Sequence, residues 1–133
     1  MIVGIADTHA ALWHLYDDAR LSESARTFFE KSGIERTKIG LSTISLVEVI
    51  YLVEKNRLPS SAYDELRKAL ENSAHVLEEV PFTADIAEAM RSVPREAVSD
   101  MPDRIVAATA VSLGVPVISR DGMIRASSVK TIW

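Results

Sequence analysis

Ile2-Val3-Gly4-Ile5-Ala6-Asp7-Thr8-His9-Ala10-Ala11-Leu12 changes its periodicity at a single acid. The first five residues are an unbroken apolar run, the signature of a strand buried on both faces. From Thr8 onward Ala11, Leu12, Leu15 and Tyr16 fall on one helical face. A strand covered on both faces belongs to a parallel sheet with helices above and below, and Asp7 stands at its carboxyl end. The same grammar recurs late in the chain. Asp103–Leu113 reads as a helix with Ile105, Val106, Ala108, Thr109 and Val111 mostly inward, Gly114 closes it, Val115–Ser119 is a second buried strand, and Asp121-Gly122 is a turn.

Between these ends, Ser22-Glu23-Ser24-Ala25 opens a helix with Phe28 and Phe29 inward that fades near Gly33. Lys38–Thr43 is a strand, Ser45–Asn56 a helix carrying Leu46, Val49, Ile50 and Val53, and Ala62–Asn72 another with Leu66 and Leu70 on one face. His75–Val80 alternates as a strand does and stops at Pro81. Thr83 caps a short helix to Arg91, Ser92–Pro102 is a loop, Met123–Ala126 a helical turn, and Val129–Trp133 the last strand. Strands alternating with helices imply crossover units and a parallel sheet, the α/β class. The length suits a single domain over residues 1–133, with no repeat, low-complexity tract or linker.

The 47% hydrophobic and 26% charged shares are those of an ordinary globular protein. The absence of cysteine excludes a disulfide framework and any thiolate metal site, and fits a reducing cytoplasm. Ile2–Ala6 is broken by Asp7 and lacks a basic leader, so it is not a signal peptide. No apolar run approaches the roughly 20 residues of a membrane helix, so no membrane partner is expected. A net charge of −4 argues mildly against a dedicated nucleic-acid binder, whose footprint is usually basic. That objection weakens if metal neutralises several acids or a partner supplies basic surface.

Four acids carry the chemistry, and each has a local explanation. Asp7 can cap the helix it precedes. Ser45-Leu46-Val47-Glu48 matches a capping box, with Ser45 as cap and Glu48 reaching back. Asp103 suits the dipole of a helix start, and Asp100 can equally cap that helix, which makes Asp100 the less chemical of the two. Asp121-Gly122 is a common turn pair. What these explanations leave out is the coincidence: Asp7 and Asp121 end strands, while Glu48 and Asp103 open helices, and in a parallel sheet all four places lie on one edge. Carboxylates crowded together repel unless protonated, paired or bound to a cation. Mg2+ and Mn2+ seek such oxygens, polarise a phosphoryl group and acidify bound water, which points to hydrolysis of a phosphodiester.

Four segments together resemble the PIN domain, and within it the VapC-like ribonuclease toxins. They are Ile5-Ala6-Asp7-Thr8-His9-Ala10-Ala11-Leu12-Trp13, Ser42-Thr43-Ile44-Ser45-Leu46-Val47-Glu48-Val49, Pro102-Asp103-Arg104-Ile105-Val106-Ala107-Ala108-Thr109-Ala110 and Gly114-Val115-Pro116-Val117-Ile118-Ser119-Arg120-Asp121. They occur in the family's order and span essentially the whole chain. The resemblance implies a three-layer α/β/α fold with a central, mostly parallel five-stranded sheet. It implies that Asp7, Glu48, Asp103 and Asp121 bind Mg2+ or Mn2+ for RNA cleavage. Asp7 and Asp103 would be central ligands, Asp121 would complete the shell directly or through water, and Glu48 would bind metal or orient the attacking water. It also implies a homodimer inhibited by a VapB-like antitoxin. Met123 stands where many members have a further acid, leaving four acids for one ion. Ser119 stands where Thr is frequent, as a supporting hydroxyl, and Thr8 is another beside Asp7. Arg104 and Arg120 adjoin site acids and are the candidates for contact with phosphate.

His9 reads as a helix-start or surface residue, because hard cations favour oxygen. His14 and His75 read as structural, and Trp13, Phe28, Phe29 and Tyr51 as core or dimer contacts. Two other functions fit parts of the pattern. A catalytically silent PIN scaffold would bind a partner or RNA without metal-stimulated turnover. A phosphoacceptor receiver domain shares the α/β plan but needs an adjacent acid pair after its first strand, and Asp17-Asp18 comes too late.

Overall fold

The computed structural model describes residues 1–133. Five strands form one sheet: β1 (Ile2–Ala6), β2 (Lys38–Ser42), β3 (Leu77–Val80), β4 (Val117–Ile118) and β5 (Thr131–Ile132), in the spatial order β3-β2-β1-β4-β5. Every neighbouring pair is parallel, so the sheet is wholly rather than mostly parallel. The helices are α1 (Thr8–Leu15), α2 (Glu23–Glu35), α3 (Thr43–Glu54), α4 (Ala62–Glu71), α5 (Ala84–Ala89), α6 (Met101–Leu113) and α7 (Gly122–Ala126), with a single 3-10 turn at Met90–Ser92.

The sheet separates two cores. Leu12, Trp13, Phe29, Leu41, Leu46, Leu66 and Ile118 pack on the side of α1 to α4. Ile5, Val80, Ile86, Val106, Val117 and Ile124 pack on the side of α5 to α7. Consecutive residues Ile5 and Ala6, and Val117 and Ile118, enter opposite cores, as the pleat requires. Three layers follow from this. β1 lies between β2 and β4, with Ile5 opposite Val117 and Ala6 opposite Ile118. The sheet order reverses there, and the crevice beyond the carboxyl ends of two such strands is where α/β folds bind ligands.

Several element boundaries differ from the sequence reading, each for a local reason. α3 begins at Thr43 rather than Ser45, because the Ser42 hydroxyl accepts from the Ile44 amide and Ser42 ends β2. α6 begins at Met101, inside the expected Ser92–Pro102 loop. There Asp100 accepts from the Asp103 amide, and Pro102 sits in the first turn, where its missing N–H is not needed. α2 passes through Gly33 and stops when Arg36 turns left-handed at φ 57°. β3 starts late because His75 Nδ1 accepts from the Leu77 amide and turns the chain there. β4 and β5 shrink to two residues each, with Pro116 just before β4 unable to donate to a ladder.

Gly40 marks the tightest place in the sheet. A Cβ there would lie 2.6 Å from Ile5 Cδ1 and 2.7 Å from Val80 Cγ2, both in the second core. Gly40→Ala is therefore expected to lower stability by about 1–3 kcal/mol, as overpacking does. Chemical denaturation measures this, and an unchanged midpoint would show that Ile5 and Val80 can move aside.

Candidate active site

Asp7 is the hinge of the site. It ends β1, caps α1 by accepting the Ala10 amide on Oδ1 at 2.8 Å, and accepts the Ser119 hydroxyl on Oδ2 at 2.5 Å. Ser119 follows β4, and its oxygen in turn accepts the Asp121 amide at 3.0 Å. One hydroxyl thus ties the ends of the two central strands together. Asp7 is only 8% exposed, and burial raises its pKa despite the bonds from Ser119 and Ala10, with the charge of Asp121 adding to the rise.

The neighbouring Thr8 fixes the next acid. Its hydroxyl lies 2.6 Å from Glu48 Oε1 and 2.8 Å from the Ser45 hydroxyl, both on α3. Ser45 therefore does not cap a helix, and the Ser45–Glu48 capping box is replaced by contact with α1. The reason is that the helix starts two residues earlier, which places Ser45 and Glu48 inside it, facing Thr8. Burial raises the pKa of Glu48, as do the charges of Asp100 and Asp7.

Asp103, in the first turn of α6, has its pKa pushed up to about 7 by burial and then by Asp100, Asp121, Glu48 and Asp7. Asp121 caps α7, its Oδ1 accepting the amides of Met123 and Ile124 at 3.0 Å each. The four acids open onto one cleft of about 330 Å3, together with Asp100, Thr8, His9, Trp13 and Arg120. None of the five carboxylates takes part in an ion pair.

The two arginines part company. Arg120 reaches the cleft wall, its guanidinium carbon 4.6 Å from the centre of the Trp13 ring. Arg104 does not reach it: the guanidinium donates to the carbonyls of Val93 and Met90 at 2.8 and 2.9 Å, bracing the segment before α6. Arg104, expected as a phosphate contact, is thus turned away from the cleft by these two bonds, which leave Nη1 unengaged. Asp100, set aside as a mere cap, both caps α6 and faces the cleft. Trp13 is buried as expected of a core residue yet forms part of the cleft wall, as does the exposed His9, 5.6 Å from it. Nothing in the spacing of these residues distinguishes a cleft wall from a core. His14 stacks on Phe29 at 4.1 Å, and burial lowers its pKa to about 4.

The donor set fits a hard divalent cation: five carboxylates, two hydroxyls behind them, no cysteine and no cation ion-paired to any of the acids. Burial and mutual repulsion raise three of the acids, which is the electrostatic deficit a cation removes. As the side chains are oriented, no three acids or histidines converge to hold an ion. Asp7, Glu48 and Asp121 are engaged by Ser119, Thr8 and backbone amides respectively.

The sequence profile of the PIN domain matches residues 5–128. The chain belongs to the PIN domain family. A relative of this PIN chain, Ribonuclease VapC22 of Mycobacterium tuberculosis (strain ATCC 25618 / H37Rv), is 25% identical over 125 residues, covering 94% of this chain and 92% of the relative. The fold is shared with the solved structure of VapBC2 from Rickettsia felis bound to a DNA fragment from their promoter. There the TM-score is 0.71 at 15% identity, over 98% of this chain and 97% of the other. A toxin-antitoxin complex from Klebsiella pneumoniae gives a TM-score of 0.68 at 21% identity, over 98% and 96% of the two chains. These neighbours share the fold over almost the whole chain. No helix is long and apolar enough to cross a membrane.

Proposed function

We propose that this protein is a Mg2+- or Mn2+-dependent endoribonuclease, the toxin of a VapBC-type toxin–antitoxin pair, acting in the cytoplasm as one domain over residues 1–133. The observation that carries this reading is the meeting, at the reversal of sheet order in a PIN chain, of Asp7, Glu48, Asp103 and Asp121 in one cleft with no cationic side chain paired to them. The relative named as a ribonuclease supports RNA as substrate, and the VapBC neighbours support a VapB-like antitoxin; a homodimer is part of the same proposal.

In this reading Asp7 and Asp103 would hold the cation, and Asp121 would contribute directly or through water. A bound Mg2+ or Mn2+ supplies charge to polarise the phosphodiester and to acidify the attacking water. Ser119 and the Ala10 amide fix the Asp7 carboxylate, so it meets the cation with little loss of rotamer freedom. Glu48, with Oε1 held by Thr8, keeps Oε2 free to orient water and accept its proton, or to bind metal. Asp100, on the same cleft wall, would add negative charge facing the cation.

Purified protein incubated with a panel of structured RNAs should yield discrete cuts in Mg2+ or Mn2+ and none in EDTA. Mapping the cut ends checks this. Intact RNA under every metal condition would instead favour a silent PIN scaffold.

A further inference from the structure

The acid cleft itself repels RNA: of its charged residues, five are acids and only Arg120 is a permanent cation. Affinity for a polyanion has to come from neighbouring surface. Of the three other cavities, two lie by the opposite edge of the sheet. One is lined by Arg36, Lys38 and His75, the other by Val3, Pro116 and Lys130, at or before the starts of strands. The remaining cavity adjoins the cleft and shares His9 and Trp13 with it.

That cavity, about 240 Å3, is lined by Leu12, Tyr16, Leu52 and Leu58 together with Asp18, Arg20 and Arg57. Arg20 lies 5.2 Å from the Trp13 ring and is held by both oxygens of Asp18, so much of its charge is spent. Arg57 and Arg120 form no ion pair. Trp13, 6% exposed, is a wall rather than a platform, whereas Tyr16 is 39% exposed. Apolar walls, one accessible aromatic ring, an unpaired guanidinium in the lining (Arg57) and another on the wall of the adjoining cleft (Arg120) match a base and its flanking phosphates. A neutral apolar segment of protein would use the leucines but leave both free arginines without partners.

We propose that this second cavity is a nucleotide subsite, receiving a base of the single-stranded RNA that passes from the acid cleft over His9 and Trp13, with Arg120 and Arg57 on the phosphates to either side. The proposal rests on the nuclease reading and gives it a direction: the strand continues toward the junction of α1 with the end of α3, and the base seated against Tyr16 contributes to the choice of cutting site.

The test is binding in an Asp7→Asn background, which prevents cutting. The probe is fluorescein-labelled single-stranded RNA of randomised sequence and about 12 nucleotides, within the span such grooves cover. Arg57→Glu should weaken binding about tenfold and lower the slope of log affinity against log salt by about 0.7, one phosphate contact on a single strand. Tyr16→Ala should cost about fivefold or more, as loss of a stacked base does, and Tyr16→Phe should restore wild-type affinity. Arg36→Glu, the same charge change at the opposite edge, should alter affinity less than about twofold. If Arg57→Glu and Tyr16→Ala bind no worse than Arg36→Glu, the subsite is overturned and a protein segment becomes the better occupant. Failure of the nuclease reading looks different: no cutting by wild type with any metal, while Arg57 and Tyr16 still govern RNA affinity.

Discussion

Asp7→Asn is expected to lower metal-dependent RNA cleavage by at least about 10³-fold, or about 4 kcal/mol of transition-state stabilisation, while leaving the fold intact. Asn is as good a helix cap as Asp, so Oδ1 can still accept the Ala10 amide that starts α1. The amide nitrogen would take the place of Oδ2 opposite Ser119, whose hydroxyl can turn from donor to acceptor. Packing is unchanged because the two side chains have nearly the same shape. What is lost is the negative charge of the most buried acid in the cleft, and with it an anionic oxygen for the cation. Cleavage rates in Mn2+ with matched thermal melts check both halves. Wild-type activity in a clean preparation would remove Asp7 from the site.

Asp103→Asn should inactivate the enzyme and, without metal, make it more stable. Burial and four neighbouring carboxylates push the Asp103 pKa from 3.8 to about 7. The folded protein therefore binds this proton more tightly than the unfolded chain. That contribution is fully present below pH 3.8, declines as the pH rises, and is lost once the pH passes about 7. A neutral amide escapes the loss. Against this, Asn gives up a helix-dipole interaction worth about 0.3–1 kcal/mol. Repulsion wins even after solvent screening of a half-buried group, leaving a net gain of about 1 kcal/mol at pH 8 and low salt. For a chain of this size that is a rise in Tm of about 3–6 °C. The difference should shrink toward pH 4. Excess Mn2+ should reverse the order, because only the wild type gains binding free energy, about 2.7 kcal/mol at a hundredfold excess over Kd. A metal-free variant that melts below wild type at pH 8 would show that the cleft is not electrostatically strained.

The four acids and the parallel α/β plan were legible in the sequence because period and position coincide there. Apolar runs end at Asp7 and Asp121, and helical runs begin near Glu48 and Asp103, so topology alone gathers them. The Thr8–Glu48 contact was not legible. Ser45-Leu46-Val47-Glu48 satisfies a local rule so well that the true helix start, fixed by Ser42 at the end of β2, is hidden. Arg104 misled for a related reason: adjacency to Asp103 in sequence says nothing of direction on a helix, and its side chain turns toward Met90 and Val93. The second cavity was invisible too, since Tyr16, Leu52 and Arg57 come together only through the packing of α1 beside α3.

The bond between Ser119 and Asp7 spans 112 positions of chain. During synthesis on the ribosome, Asp7, Glu48 and Asp103 all emerge before the strand that holds Asp7 in place. A nascent chain that has passed Asp103 but stops short of Val117 carries three of the four acids but not the β1–β4 seam that aligns them. Assembly of the site thus waits until β4 has been made. Since domains acquire structure from the amino-terminal side as they are made, the wiring of this sheet acts as a timer, keeping the acid cleft incomplete until both central strands are present.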